Sequence, residues 1–207
     1  MLSKKQRLIK RIFDLLLIFV TLPLYLSFYF IIAFLVRIFM GKPILFKENR
    51  AGWQGQVFTM CKFRTMNEAR DEKGMLLPPQ IRITKFGHFL RSSSFDELPE
   101  LWNVIKGEMS LVGPRPLGVR YLERYTAQQK RRHIMKPGLT GWAQINGRNI
   151  ISWKERFDLD VWYVDHWSLM LDLKIILLTI WKVLKRDEIG PEDNPIMEEF
   201  RGNQNGN

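Results

Sequence analysis

The order of apolar and polar positions divides this chain of 207 residues into one long apolar stretch and a mixed remainder. From Leu15 to Val36 no residue is charged, and nearly all are Leu, Ile, Phe, Val or Tyr. That length matches the roughly 20 residues with which a helix crosses a hydrocarbon core of about 30 Å. Because Arg37, Ile38 and Phe39 stand where a signal peptide needs small residues, the pattern predicts a membrane helix and not a cleaved leader.

Basic residues flank the apolar stretch on both sides, whereas a simple span usually concentrates Lys and Arg on its cytoplasmic side. Pro23 lies near the middle, where it removes a backbone hydrogen bond and bends a helix, and Thr21 could satisfy a carbonyl freed there. Two interpretations stay open at this point. The helix either enters one leaflet, breaks near Pro23 and returns to the same face, or spans the membrane with a tolerated kink. Asp14, inside the basic flank, is expected to pair with Lys10 or Arg11.

Short strands scattered among helices predict a mixed α/β, mainly helical fold and not a doubly wound sheet. Two apolar-rich segments, Ile44–Lys47 and Gln56–Phe63, are joined by a stretch that carries two glycines, which predicts a β-hairpin. The remaining pattern predicts, in chain order, a basic surface helix over Ile81–Arg91, a helix from Asp96 to about Gly107, a very basic helix over Tyr121–His133, a strand over Leu139–Ile145 and an apolar helix over Leu169–Lys185.

Composition and charge narrow the class of function. The net charge of +11 implies acidic partners such as anionic lipid headgroups, phosphorylated substrates or nucleic acid. Cys61 is the only cysteine, which excludes an internal disulfide, and His88, His133 and His166 lack the spacing of zinc ligands. The sequence contains no Walker loop, Rossmann fingerprint, Gly-x-Ser-x-Gly elbow or nucleic-acid-binding module.

Asp96 and Glu97 are the carboxylates best suited to a catalytic role. Adjacent helical positions differ by about 100°, so the two groups splay apart and could serve as a nucleophile and a metal ligand at one site. The same pair, with Pro99 soon after it, is also an ordinary helix start. Basic residues in stiff contexts suit phosphate binding, although spacing alone does not show that they converge: Lys62, Arg64, Arg91, Arg115 and Arg148.

Five ordered motifs, spread over a region from about Lys10 to Lys185, closely resemble the bacterial sugar transferases, the monotopic phosphoglycosyl transferases. The motifs are Lys10-Arg11-Ile12-Phe13-Asp14, Lys62-Phe63-Arg64-Thr65-Met66, Ser94-Phe95-Asp96-Glu97-Leu98-Pro99-Glu100-Leu101-Trp102-Asn103, Leu111-Val112-Gly113-Pro114-Arg115-Pro116 and Lys136-Pro137-Gly138-Leu139-Thr140-Gly141-Trp142-Ala143-Gln144-Ile145-Asn146-Gly147-Arg148. One departure is that Leu22 precedes Pro23, where the family often has a small polar residue; Thr21 would substitute for it in this chain.

The resemblance implies a minimal, single-domain form of the family at the bacterial inner membrane. Residues 1–40 would be a re-entrant membrane helix, residues 41–189 a catalytic domain on the cytoplasmic face with interfacial helices, and residues 190–207 a mobile tail. The partners would be membrane lipids, a UDP-sugar and undecaprenyl phosphate, with downstream glycosyltransferases using the product for polysaccharide or glycoconjugate biosynthesis. A nucleic-acid partner is not expected, and neither the sugar nor the oligomeric state is implied.

The resemblance also assigns roles to the candidate residues. Asp96 would attack the β-phosphate of the UDP-sugar, UMP would leave, and undecaprenyl phosphate would then attack the phosphosugar–Asp96 intermediate. Mg²⁺ would be the cofactor, with Glu97 as its ligand and as a catalytic residue beside Asp96. Phosphates would be held by Arg91, Arg115 and Arg148, with Lys62, Arg64 and Asp160 as supporting polar residues.

Two alternatives remain at the level of sequence. The first is direct, single-displacement transfer, in which Asp96 acts as a base that activates the lipid phosphate. The second is a basic adaptor without enzymatic activity, which uses its arginines only to bind lipid headgroups.

Overall fold

A computed structural model describes residues 2–147, 151–185 and 199–202. The fold is mixed α/β and mainly helical, as predicted. Its α-helices are α1 (Lys4–Met40), α2 (Pro79–Arg82), α3 (Lys85–Ser92), α4 (Glu100–Lys106), α5 (Ala127–Lys130), α6 (Trp142–Ile145), α7 (Trp153–Asp165) and α8 (Leu169–Lys185). Its strands are β1 (Leu45–Ala51), β2 (Val57–Phe63), β3 (Ser110–Val112), β4 (Leu117–Gly118) and β5 (Gly138–Thr140).

The predicted β-hairpin is confirmed. Strands β1 and β2 pair antiparallel with Leu45 opposite Phe63, and β1 extends four residues beyond its predicted end at Lys47, to Ala51. The hairpin turns through the 3-10 segment Trp53–Gly55, and β4 adds to the free edge of β1. A second, two-stranded sheet pairs β3 with β5 in parallel.

Helix α1 is uninterrupted through Pro23, so the expectation that the helix breaks near this proline is wrong. Ser3 and Gln6 cap its start reciprocally, and Gly41, with φ 74°, ends it. Among the described residues it is the one helix long and apolar enough to cross a membrane. Thr21 does not serve the carbonyl that loses its partner at Pro23, that of Phe19, because its hydroxyl donates to the carbonyls of Leu17 and Ile18.

Both halves of α1 pack on the same domain. In the first half, Ile18 joins a buried cluster with Phe58 and Val104, residues of β2 and α4. In the second half, Ile32 and Val36 pack with Phe63 and Leu90, at the end of β2 and in α3. The domain therefore contacts α1 on both sides of the proline.

The polar residues at the start of α1 also face the domain. Asp14 is buried and accepts hydrogen bonds from the Ser110 hydroxyl and the Leu111 amide, so the expected ion pair of Asp14 with Lys10 or Arg11 is wrong. Lys10 instead donates to Asp172 of α8, with 2.6 Å between Nζ and Oδ2.

Arg11 donates to two backbone carbonyls at the end of α4, those of Val104 and Ile105. These are carbonyls that a helix leaves without intrahelical partners at its C-terminus. The basic flank of α1 thus completes the hydrogen bonding of the domain as well as marking a membrane boundary.

Several predicted elements differ from those observed. The basic helix over Tyr121–His133 is replaced by three short pieces, the 3-10 turns Val119–Tyr121 and Arg131–Ile134 on either side of α5. The segment Ile81–Arg91 divides between α2 and α3, because Thr84 caps a new helix there. The strand expected over Leu139–Ile145 ends at Thr140, after which α6 begins.

The apolar helix over Leu169–Lys185 is confirmed as α8. Asp172 and Ile175 are buried on one side of α8, whereas Leu177, Trp181 and Leu184 are exposed on the other. Helix α7 was not predicted; its polar and apolar residues do not form a clear stripe.

The expected mobile tail, residues 190–207, lies mostly outside the described residues. Of its four described residues, Phe200 is buried against Tyr125 and Phe157, and Glu199 pairs with Arg124. This part of the tail closes an aromatic cluster at the end of the domain.

Candidate active site

Asp96 and Glu97 lie on a tight 3-10 turn, Phe95–Glu97, between α3 and α4. Ser94, just before it, has left-handed backbone angles, φ 58° and ψ 16°. Helix α4 begins at Glu100 with Pro99 in the capping position and no side-chain cap. The helix-start interpretation of Asp96 is therefore wrong: this carboxylate caps no helix within the described chain.

Glu97 is held by two cations from different parts of the chain. Its Oε1 accepts from Lys62 Nζ, at the end of β2, and from an Arg115 Nη, each at 2.6 Å. The Glu97 and Lys62 side chains are 16% and 17% exposed, so little solvent screens this pairing. Ammonium and guanidinium groups such as these two are the side chains that bind phosphate.

A third carboxylate, Glu100, lies beneath the pair. Glu100 is 2% exposed, and its Oε1 lies 3.1 Å from Lys62 Nζ at an angle unsuited to a hydrogen bond. Asn103, one turn further along α4, accepts from the Cys61 amide and donates to the Thr59 carbonyl. This buried amide fixes α4 on β2 and so sets the distance between Lys62 and the carboxylates.

The three carboxyl groups differ in pKa. Burial, together with the charge of Glu97, raises the pKa of Asp96 to about 6 and that of Glu100 to about 7. Burial also acts to raise the pKa of Glu97, but the charges of Arg115 and Lys62 outweigh it and hold that pKa well below its ordinary value. At neutral pH Glu97 is thus a fixed anion, whereas Asp96 is mostly ionised and titrates close to the working range.

Asp96 is buried, but its carboxylate is not held by a fixed partner as that of Glu97 is. Among the described residues none donates a hydrogen bond to its carboxylate or forms an ion pair with it, although Lys62, Arg115 and Arg91 are close enough to lower its pKa. Arg91 is anchored by a hydrogen bond of 3.0 Å from its Nε to the Thr65 hydroxyl. An ionised carboxylate with a positive surround and no fixed partner is the form in which a carboxylate can attack phosphorus.

Arg115 projects from a loop that is tightly fixed to β5. The Gly113 amide donates to the Thr140 carbonyl and the Gly138 amide to the Pro114 carbonyl, at 2.9 and 3.1 Å. A side chain on Gly113 would lie 2.4 Å from the Lys136 carbonyl oxygen, so only glycine permits this approach. The loop therefore presents Arg115 to Glu97 from a rigid base.

Asp160 lies on α7 and is 1% exposed. Its Oδ2 accepts from both Nε and an Nη of Arg132, at 3.0 and 2.7 Å. The same Arg132 Nη donates to the Arg115 carbonyl at 2.7 Å. The structure thus brings Asp160 to the back of the Arg115 loop and not to the surface beside Asp96.

The other predicted residues are placed differently. Arg64 donates to the Lys42 carbonyl, where the chain leaves α1, and makes no described contact with Asp96 or Glu97. Arg148 lies outside the described residues.

Two contributors were missed by sequence reasoning, Glu100 and Arg132. Glu100 is part of the same motif as Asp96 and falls one helical turn after Glu97, a spacing that could have indicated it. Arg132 carries no such signal, because it lies in the basic run Lys130–His133 and in sequence resembles its half-buried neighbour Arg131.

Comparison with known proteins identifies the family. A family model described as bacterial sugar transferase matches residues 5–186. The chain belongs to the bacterial sugar transferase family.

Among its relatives is the uncharacterized sugar transferase EpsL of Bacillus subtilis (strain 168), 53% identical over 196 residues, which cover 94% of this chain and 96% of that protein. Others are the UDP-galactose-lipid carrier transferase of Erwinia amylovora, 41% identical over 198 residues, and the UDP-glucose:undecaprenyl-phosphate glucose-1-phosphate transferase of Escherichia coli (strain K12), 38% identical over 191 residues. Each of these two matches covers 87% of this chain but 41% of the longer relative.

Proposed function

We propose that the protein transfers a sugar-1-phosphate from a UDP-sugar to undecaprenyl phosphate, giving undecaprenyl diphosphosugar and UMP. The observation that carries this proposal is the pairing of a clamped carboxylate, Glu97, with an adjacent unclamped one, Asp96, within a ring of cations. The relatives from Erwinia amylovora and Escherichia coli are named for sugar transfer to a lipid carrier, which supports the same reaction.

The reaction proceeds in two displacements at one phosphorus. An oxygen of ionised Asp96 attacks the β-phosphorus of the UDP-sugar, and the bond from that phosphorus to the bridging oxygen breaks, so that UMP leaves. An oxygen of undecaprenyl phosphate then attacks the same phosphorus, and the Asp96 carboxylate departs unchanged. Each step exchanges one phosphorus–oxygen bond for another and needs no proton transfer. Division into two steps lets one site serve a soluble donor and a lipid acceptor in turn.

The cations stabilise the charge that collects on the phosphoryl oxygens. Arg115 and Arg91 come from different elements near Asp96, one on the rigid loop and the other on α3. Lys62 and Arg115 keep Glu97 ionised, and the negative Glu97 in turn keeps both cations in place. Arg148 is proposed to add a further phosphate contact.

Mg²⁺ is the proposed cofactor. Within the described chain no group of three or more His, Cys, Asp or Glu side chains is placed to hold a metal ion. The residues nevertheless fit Mg²⁺, because in phosphoryl transfer it takes one or two carboxylates and completes its shell with substrate phosphates and water. Glu97, ionised and next to Asp96, is the proposed ligand. Bound there, the ion would neutralise charge on the diphosphate.

The contacts of α1 support a re-entrant helix with the catalytic domain on the cytoplasmic face of the inner membrane. A helix of 37 residues is about 55 Å long, and one small domain contacts it on both sides of Pro23. A simple span would carry one of these contacts across the bilayer. Basic residues at both ends of the apolar stretch agree with two ends on one side. The exposed apolar side of α8 suits the interface.

The test is UMP release by purified protein in detergent, with Mg²⁺ and a panel of UDP-sugars, with and without undecaprenyl phosphate. The two-displacement route predicts one UMP per enzyme without acceptor, continued turnover with it, and a phosphosugar adduct on the peptide that contains Asp96. Asp96→Asn should abolish release, whereas Asp158→Asn, the same change at an exposed carboxylate of α7, should not.

The alternatives give different results. Release that strictly requires acceptor, with no adduct, would indicate direct displacement with Asp96 as a base. If folded protein released no UMP with any UDP-sugar, the proposed reaction would be rejected, and the non-enzymatic adaptor would be the remaining alternative.

A further inference from the structure

Arg132 and Asp160 form an ion pair that is sealed from solvent. Each side chain is 1% exposed. The guanidinium lies over the rings of both Tyr125 and Phe157, 5.9 and 5.7 Å from their centroids. Replacing such a pair with apolar residues often costs no stability, so its presence is weak evidence for a stabilising role. A role in placing another group accounts better for it.

The group that Arg132 reaches is the backbone of Arg115. Arg115 lies between Pro114 and Pro116, which have no amide hydrogen, so this part of the loop can be fixed mainly through its carbonyls. The Pro114 carbonyl accepts from the Gly138 amide, and the Arg115 carbonyl accepts from Arg132. Arg132 therefore holds the residue whose side chain clamps Glu97.

Asp160 supplies the matching charge. It binds Nε and one Nη of Arg132 through a single oxygen, which leaves that Nη directed at the Arg115 carbonyl as well. Because Asp160 is 1% exposed, a substrate cannot touch it unless α7 moves.

We infer that Arg132 and Asp160 are a positioning pair for Arg115, and through it for Glu97, and that Asp160 does not bind substrate. This inference rests on the proposed function only in using UMP release as its readout. A displacement of Arg115 of about 1 Å would lower the rate by up to about a hundredfold.

The chain offers a matched control one residue away. Arg131 and Asp165 form an ion pair between the same two elements, the 3-10 turn Arg131–Ile134 and α7, but their side chains are 38% and 39% exposed. Arg131→Lys and Asp165→Asn make the same chemical changes without touching the Arg115 loop.

The experiment measures kcat and KM for the UDP-sugar in Arg132→Lys, Asp160→Asn and the two control variants. Arg132→Lys retains a cation against Asp160 but cannot also reach the Arg115 carbonyl, so it should fold and still lose at least tenfold in kcat/KM. Asp160→Asn should lose a similar factor. The control variants should stay within about twofold of the wild type.

Combining Asp160→Asn with Arg115→Lys decides between positioning and binding. If Asp160 acts through Arg115, its change has less than about a twofold further effect once Arg115 is altered. Where turnover in that background is too slow to measure, the same comparison is made with the Kd for UDP.

An unchanged, full effect of Asp160→Asn in the Arg115→Lys background would overturn the inference, as would wild-type activity of Arg132→Lys. Wild-type protein that releases no UMP would instead reject the proposed function. In that case the Kd for UDP across the same variants still tests the pair.

Discussion

Replacing Lys10 with methionine should destabilise the protein strongly, because it leaves a buried charge behind. Lys10 Nζ lies 2.6 Å from Asp172 Oδ2, and the two side chains are 7% and 0% exposed. The carboxylate of Asp172 keeps two further donors, the Tyr163 hydroxyl at 2.6 Å and the Trp167 indole at 3.0 Å. Lys10→Met therefore removes the opposite charge but not every hydrogen bond.

The magnitude follows from these contacts. Breaking a buried ion pair by removing one partner costs about 3–5 kcal/mol, and the two remaining hydrogen bonds place this case near the lower value, about 3 kcal/mol. For a protein of this size each kcal/mol lowers the unfolding temperature by about 2–4 °C, so the expected decrease is about 6–12 °C. Adding Asp172→Asn removes the unpaired charge and keeps an acceptor, which should restore about half of the loss or more.

The assay is thermal unfolding in detergent micelles, followed by tryptophan fluorescence. Lys5→Met is the matched control, since it removes the same charge from an exposed position of α1 and should shift the unfolding temperature by no more than about 1–2 °C. If Lys10→Met and the double variant were equally destabilised, the uncompensated charge would not be the cause. If Lys5→Met matched Lys10→Met, general loss of charge would explain both.

Three further predictions concern the site. Because burial and Glu97 raise the pKa of Asp96 to about 6, UMP release should increase about tenfold from about pH 5 to about pH 7. The folded protein holds this proton more tightly than the unfolded one, so the contribution of Asp96 to stability should be full below about pH 4 and be lost as the pH rises through about 6. Chelation with EDTA should abolish UMP release, added Mg²⁺ should restore it, and Glu97→Gln should raise the Mg²⁺ concentration required at least tenfold. Ser94→Gly should fold normally, whereas Ser94→Val should lose about 1–2 kcal/mol in thermal unfolding, because a β-branched residue resists φ 58°.

Each of these has a result that contradicts it. A rate that stays level from about pH 5 upward would mean that Asp96 has an ordinary pKa or does not attack. Full activity in EDTA would remove Glu97 as a metal ligand. Equal stability of the two Ser94 variants would show that the turn relaxes around the new side chain.

The elements that the sequence predicted are those whose pattern is local. The β-hairpin and α8 are each specified by a run of apolar residues with clear ends, and both were confirmed. The helix predicted over Tyr121–His133 was wrong, because a run of basic residues lacks the apolar periodicity that specifies a helix. Within it Arg131 is half-buried and pairs with Asp165, whereas the adjacent Arg132 is buried against Asp160.

The residues of the site likewise differ in how far local sequence could identify them. Asp96, Glu97, Lys62 and Arg115 could be named in advance because each lies in a recognisable motif, but their convergence depends on Asn103 and the Gly113–Gly138 contact, which join distant segments. The family resemblance placed Asp160 among the supporting polar residues that bind substrate, yet its role depends on what its side chain faces. A sequence does not show which way a side chain on α7 points, so binding and positioning could not be separated.

The contacts of α1 also limit the order in which the protein can assemble during its synthesis. Arg11, Asp14 and Lys10 find their partners 93, 96 and 162 positions later in the chain. At about 5–20 residues per second, synthesis reaches the partner of Lys10 roughly 8–32 seconds after Lys10 itself. Until its own partner has been synthesised, each of these three charged groups on α1 remains where water or headgroups solvate it. The contacts that fix α1 to the domain are thus complete only after most of the domain has been synthesised.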